Sequence, residues 1–116
     1  MSVSPHEVAA RIRAEAHARE RSAEARAAEL GARLGDAAAL LRAAGATRVW
    51  VFGSLATGKT RPESDIDLAV EGLHPGRYFD VLADLMALFR SPVDLVTMEQ
   101  APTSLRETIR ATGREL

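Results

Sequence analysis

The chain has 116 residues, 47% hydrophobic and 27% charged, the size and composition of one globular domain rather than a disordered segment. Fifteen Lys plus Arg against sixteen Asp plus Glu leave a net charge of -1, too little for a protein that holds nucleic acid mainly by electrostatics. It has no cysteine, no apolar run approaching a membrane span and no basic-then-apolar leader, so a soluble, cytoplasmic domain without disulfides or thiolate sites is expected.

Residues 1–44 are rich in Ala, Arg, Glu and Leu and contain no aromatic. Ser4 suits an N-cap, Pro5 the first helical position and Glu7 the capping-box partner. Glu7, Arg11, Glu15 and Arg19 follow at four-residue spacing, a charge ladder along one helical face. Gly31 and Gly35 predict a break or bend, with Asp36 capping a shorter helix that carries Leu40 and Leu41 and closes at Gly45. Between Ile12 and Leu30 this segment offers little but Ala to bury, so it either docks on a partner or a second copy, or stands as a solvated helix.

From Thr47 the texture changes. Arg48 to Phe52 alternates and predicts a strand that stops at Gly53; Asp65 to Val70 predicts a second, closed by Gly72. Pro75 begins a helix with Phe79, Leu82, Leu85, Met86 and Phe89 at helical spacing. Val93 to Thr97 is a third strand, and Thr103 or Ser104 caps a last helix ending near Thr112. The order predicts an α/β (α+β) fold, a small three-stranded mixed sheet packed by helices. Trp50 is assigned to sheet packing and Tyr78 to a helix surface or boundary; His6, His17 and His74 are too scattered for a metal site.

Three features converge. Gly53-Ser54 ends the first strand, Asp65 and Asp67 open the second on one face, and Asp94 lies near the start of the third. A helix between strands two and three implies a parallel crossover, which brings Asp94 level with the pair. An antiparallel first strand carries Gly53-Ser54 to the same edge. Clustered carboxylates repel and stay ionised together beside cations, and oxygen ligands of this kind favour Mg²⁺ or Mn²⁺. Gly53 admits a phosphate close to the backbone and Ser54 adds a hydroxyl donor. Acids beside a phosphate cradle are the parts of two-metal phosphoryl or nucleotidyl transfer.

Gly53-Ser54, ten residues, then Asp65-Ile66-Asp67 resembles the signature of the polymerase-β-like nucleotidyltransferases. The run GSLATGKTRPESDIDLAV looks like the minimal members, the antitoxin partners of helical HEPN ribonuclease toxins. The resemblance covers roughly residues 38–100, so residues 1–37 are expected to be an N-terminal helical extension and 38–116 the minimal nucleotidyltransferase domain. It implies that Gly53 and Ser54 bind the nucleotide's phosphates, that Asp65, Asp67 and Asp94 bind two Mg²⁺ ions, and that Asp94 helps deprotonate the acceptor. Many minimal members have Arg where this chain has Thr57, and Lys59 or Arg61 would supply that charge. The implied activity is transfer of AMP from ATP to a hydroxyl, most directly a tyrosine of a partner HEPN toxin. Two other readings stay open: an enzyme that modifies a small hydroxylated molecule such as an aminosugar, and an antitoxin that neutralises by binding alone. Arg11 and His17 match the loose spacing of a HEPN ribonuclease motif, but 44 residues cannot build that helical domain, and the match is read as chance.

Overall fold

The computed structural model describes residues 5–53, 56 and 65–116. Helix α1 spans Pro5–Ala43 and is followed by strand β1 (Arg48–Phe52), strand β2 (Ile66–Glu71), a 3-10 turn (Pro75–Arg77) and helix α2 (Tyr78–Phe89). Strand β3 (Val93–Thr97), helix α3 (Thr103–Thr112) and the two-residue strand β4 (Arg114–Glu115) complete the chain. The sheet order is β3-β2-β1-β4, with β2 and β3 parallel and the other two pairs antiparallel. The fold is the mixed α+β arrangement that the sequence implies, extended by β4 as a fourth strand. No helix among the described residues is long and apolar enough to cross a membrane.

Strand alternation sorts the core into two layers. Val49, Val51, Ile66, Leu68, Val70 and Leu95 face one side, where α1 and α2 cover them with Leu30, Leu34, Leu41, Val81, Leu85 and Phe89. Trp50, Ala69 and Met98 face the other, where α3 contributes Ile109. Arg33 of α1 clamps the two covering helices together, donating from Nη1 to the Leu88 carbonyl at 2.9 Å and ion-pairing with Glu29 at 2.6 Å.

Helix α1 runs unbroken through Gly31 and Gly35, contrary to the expected break, and Asp36 lies inside it rather than capping a second helix. A β-carbon at either glycine would meet nothing within 4 Å. The helix tolerates both because Leu30, Leu34, Ala37 and Leu41, on the neighbouring face, are buried against the sheet and outweigh a cost of roughly 1 kcal/mol per glycine. Its C-terminus is sealed as expected at Gly45, whose φ is +107°: the Gly45 N–H donates to Arg42 and the Ala46 N–H to Leu41, a Schellman closure. The expected cap at Ser4 lies outside the described residues. Of the described side chains before Leu30, from Arg11 to Glu29, none is buried.

Three further expectations are corrected. The helix after Pro75 opens as a 3-10 turn and becomes α-helical only at Tyr78. On α2, Phe79 is 80% and Met86 44% exposed, because the buried line is Val81, Leu85 and Phe89. Helix α3 begins at Thr103 with Pro102 at its N-cap and no side-chain cap bond, so neither Thr103 nor Ser104 caps it. Tyr78 sits at the boundary as anticipated, half-buried, its hydroxyl donating to the Leu95 carbonyl at 2.8 Å.

Candidate active site

The register assembles the acids. Phe52 pairs with Asp67 across the antiparallel β1–β2 ladder, and Asp67 pairs with Asp94 across the parallel β2–β3 ladder. In-register neighbours on adjacent strands lie about 4.8 Å apart and point the same way. Phe52, Asp67 and Asp94 therefore form one row on the α3 face, and the next row inward is Trp50, Ala69 and Val96. Asp65 stands just before β2 rather than within it, two residues from Asp67 and on the same face by alternation.

Exposure differs along the group. Asp67 is half-buried, whereas Asp65 and Asp94 are open to solvent. The Asp67 carboxyl is held above its ordinary value, first by burial and then by the negative charge of Asp94 and Asp65. That mutual repulsion is the electrostatic signature of a site built to be neutralised by something positive.

Gly53 closes β1 at the same edge, with φ +70°, in the left-handed region that glycine adopts without strain. A β-carbon there would overlap Asp67 Oδ2. The glycine is thus required twice, by its own backbone and by the carboxylate packed against it. The sequence-predicted residues Gly53, Asp65, Asp67 and Asp94 are brought to one edge of the sheet. Ser54, Thr57, Lys59 and Arg61 lie outside the described residues. Phe52 was read from sequence only as a strand residue; its place beside the acids follows from strand parity once the β1–β2 register is known.

Three carboxylates on one edge are a hard-oxygen donor set suited to Mg²⁺ or Mn²⁺. Among the described residues no group of three or more His, Asp or Glu side chains forms a metal cage by itself. The donor chemistry fits a cation whose remaining ligands come from substrate phosphates and water, the usual habit of Mg²⁺.

Comparison with known proteins points the same way. The family described as "Polymerase beta, Nucleotidyltransferase" matches residues 40–116. Among solved structures, the chain is similar to a protein assigned as a minimal nucleotidyltransferase, with 33% identity and a TM-score of 0.69, over 78% of this chain and 95% of that one. A toxin–antitoxin structure with AMP-PNP matches at 30% identity and a TM-score of 0.60, over 66% of this chain; the chain spans 65% of that relative's length. A complex of the tri-AMPylated HEPN toxin of Shewanella oneidensis with MNT antitoxin aligns at 24% identity and a TM-score of 0.59, over 73% of this chain and 69% of that one, a likeness of fold alone. No curated protein matches the chain in sequence.

Proposed function

This chain belongs to the polymerase-β nucleotidyltransferases, and on that premise we propose that it transfers AMP from ATP to the hydroxyl of an acceptor protein, a tyrosine of a HEPN toxin. The observation that carries the reading is the Asp67–Asp94 register, with Gly53 packed against Asp67 at the same edge. The AMP-PNP in one similar structure supports ATP as the donor, and a protein acceptor is in keeping with the AMPylated toxin that a relative of the same fold accompanies.

In this mechanism Asp65, Asp67 and Asp94 would hold the divalent cations, two in the expected arrangement. Bound there, Mg²⁺ lowers the pKa of the attacking hydroxyl and neutralises the departing pyrophosphate. Gly53 leaves room for the Asp67 carboxylate at this edge, since any side chain would displace it, and its bare backbone would face the triphosphate. Ser54 donates its hydroxyl to a phosphate oxygen, and Lys59 or Arg61 supplies the charge that Thr57 lacks. Asp94, exposed at the end of the acidic row, is free to face an incoming acceptor and takes its proton. The acceptor oxygen then attacks the α-phosphorus, the bond to pyrophosphate breaks, and AMP is left esterified to the acceptor.

The test is transfer of label from α-labelled ATP, with Mg²⁺, into proteins that co-purify with the chain. Label that disappears in the Asp65→Ala/Asp67→Ala variant supports the reading. A partner that co-purifies and stays unlabelled would overturn it in favour of neutralisation by binding. Label found only on small hydroxylated molecules would overturn the protein acceptor.

A further inference from the structure

Among the described residues, packing leaves one exposed apolar region unexplained apart from the acidic edge. On α2, Phe79 and Met86 are seven residues apart, two helical turns, so both stand on the outward face with exposed Ala83 between them. At the N-terminal end of this stripe a cleft of about 870 Å³ opens beyond the carboxyl ends of β2 and β3, walled by Leu73, Pro75, Tyr78 and Phe79. Its walls are pinned from three sides. The Tyr78 hydroxyl holds the Leu95 carbonyl, the Gly72 N–H donates to Glu99 at 2.6 Å, and the Gly76 N–H donates to His74 Nδ1 at 3.1 Å. A groove with fixed walls and an aromatic lip binds without first paying an ordering cost.

Charge says what fits. Asp80 and Asp84, both exposed, are the only charged residues within α2, and together they border the stripe along one side; Arg77 and Arg90 stand outside its two ends. An occupant whose apolar side chains are bordered by basic residues therefore meets complementary charge along the helix, whereas an acidic border is repelled. The length of the stripe, two turns between anchors, matches the anchor spacing of an amphipathic helix. At its other end α2 leads through Phe89 toward β3, whose second residue is Asp94, so the stripe, on the face of the sheet opposite the acids, runs from the cleft toward the same edge.

We infer that the outward face of α2 and the adjoining cleft are the docking surface for an amphipathic, basic-bordered helix of the acceptor protein. This deepens the proposed function and rests on its reading of the acceptor as a protein. A helix seated on α2 is held by contacts that take no part in the chemistry, and this gives the enzyme a means of choosing its acceptor.

The test uses the full chain and a labelled helical peptide of about 18 residues, long enough to hold a helix, with Leu anchors bordered by Arg. A twin carries Glu in place of Arg. The Arg peptide is expected to bind at least about tenfold more tightly than its twin, and Phe79→Ser and Met86→Ser each to weaken it about tenfold. Asp80→Lys/Asp84→Lys is expected to invert the preference. Circular dichroism of each variant confirms the fold, which exposed side chains leave intact. Asp67→Asn should bind the peptide like the parent, so failure of docking and failure of the transfer chemistry are read separately. Equal binding of the two peptides, or binding indifferent to Phe79 and Met86, overturns the proposal. So does a dimer of the parent chain that Phe79→Ser converts to monomer, which would make a second copy the occupant.

Discussion

Gly53 and Asp67 occupy each other's space: the glycine has φ +70°, and the place its side chain would take is filled by the Asp67 carboxylate. Gly53→Ala combines a left-handed backbone, a cost of roughly 1–2 kcal/mol, with displacement of an acid at the proposed site. The expected result is a modest fall in melting temperature and a fall of about 10²-fold in label transfer, since small misplacements of reacting groups cost that much. Thermal unfolding and α-labelled ATP transfer, run side by side, check it.

Asp67→Asn should uncouple stability from activity. The folded state raises this carboxyl's pKa through burial and its acidic neighbours, so the folded protein binds the proton more readily than the unfolded chain. The resulting penalty is absent below the ordinary carboxylate range, near 3.9 for a free Asp, and grows as pH rises through the raised folded value. Asn removes the charge. We therefore expect the variant to melt higher than the parent at pH 7, with the difference shrinking as pH falls through the acid range, while transfer is lost. Added Mg²⁺ should raise the melting temperature of the parent and leave that of the variant nearly unchanged. Melting curves against pH and Mg²⁺ measure both.

Gly31→Ala and Gly35→Ala should each stabilise the protein. Both positions lie in the body of α1 with open space around the added carbon, and Ala exceeds Gly there by up to about 1 kcal/mol. Denaturant titration at constant slope gives the change directly. A loss of stability would mean that the helix bends at these glycines after all.

Truncation should locate the functional end of the folded unit. Removing residues 1–28 takes away no described buried side chain and should leave the melting temperature close to that of the parent. Removing residues 1–37 deletes Leu30, Leu34 and Ala37 from the core and should unfold the protein, since single buried leucines are worth about 2–5 kcal/mol each. Circular dichroism of the two truncations distinguishes these outcomes.

The sequence was most informative where residues answer to strand alternation or turn chemistry. β1 and β3 begin and end where predicted, Gly45 closes α1, and the crossover topology forecasts Asp67 beside Asp94. It misled where tertiary packing overrides local preference. Gly31 and Gly35 weaken a helix in isolation, but the leucines beside them are buried on the sheet. Phe79 and Met86 share helical spacing with the core line of α2 yet lie off it by part of a turn, and hydrophobicity alone does not say which of two overlapping stripes faces inward. Strand β4 has only two residues, Arg114 and Glu115, neither a strong strand former. It exists because β1 offers a free edge and Glu115 reaches Arg48 at 2.5 Å. At the site, the spacing from Gly53 to Asp67 was legible, but the depth of Asp67 in the row was not, because it depends on the whole sheet.

A 39-residue helix whose described buried side chains begin at Leu30 turns a small protein into a rod. Its extents are 66 × 28 × 17 Å and its radius of gyration 18.7 Å, against about 13 Å for a compact domain of this length. Such a body tumbles more slowly about its short axes than about its long one and sweeps a far larger volume than its 12.5 kDa would suggest. Size-exclusion chromatography will therefore overstate the mass of a monomer, and the oligomeric state is better taken from light scattering.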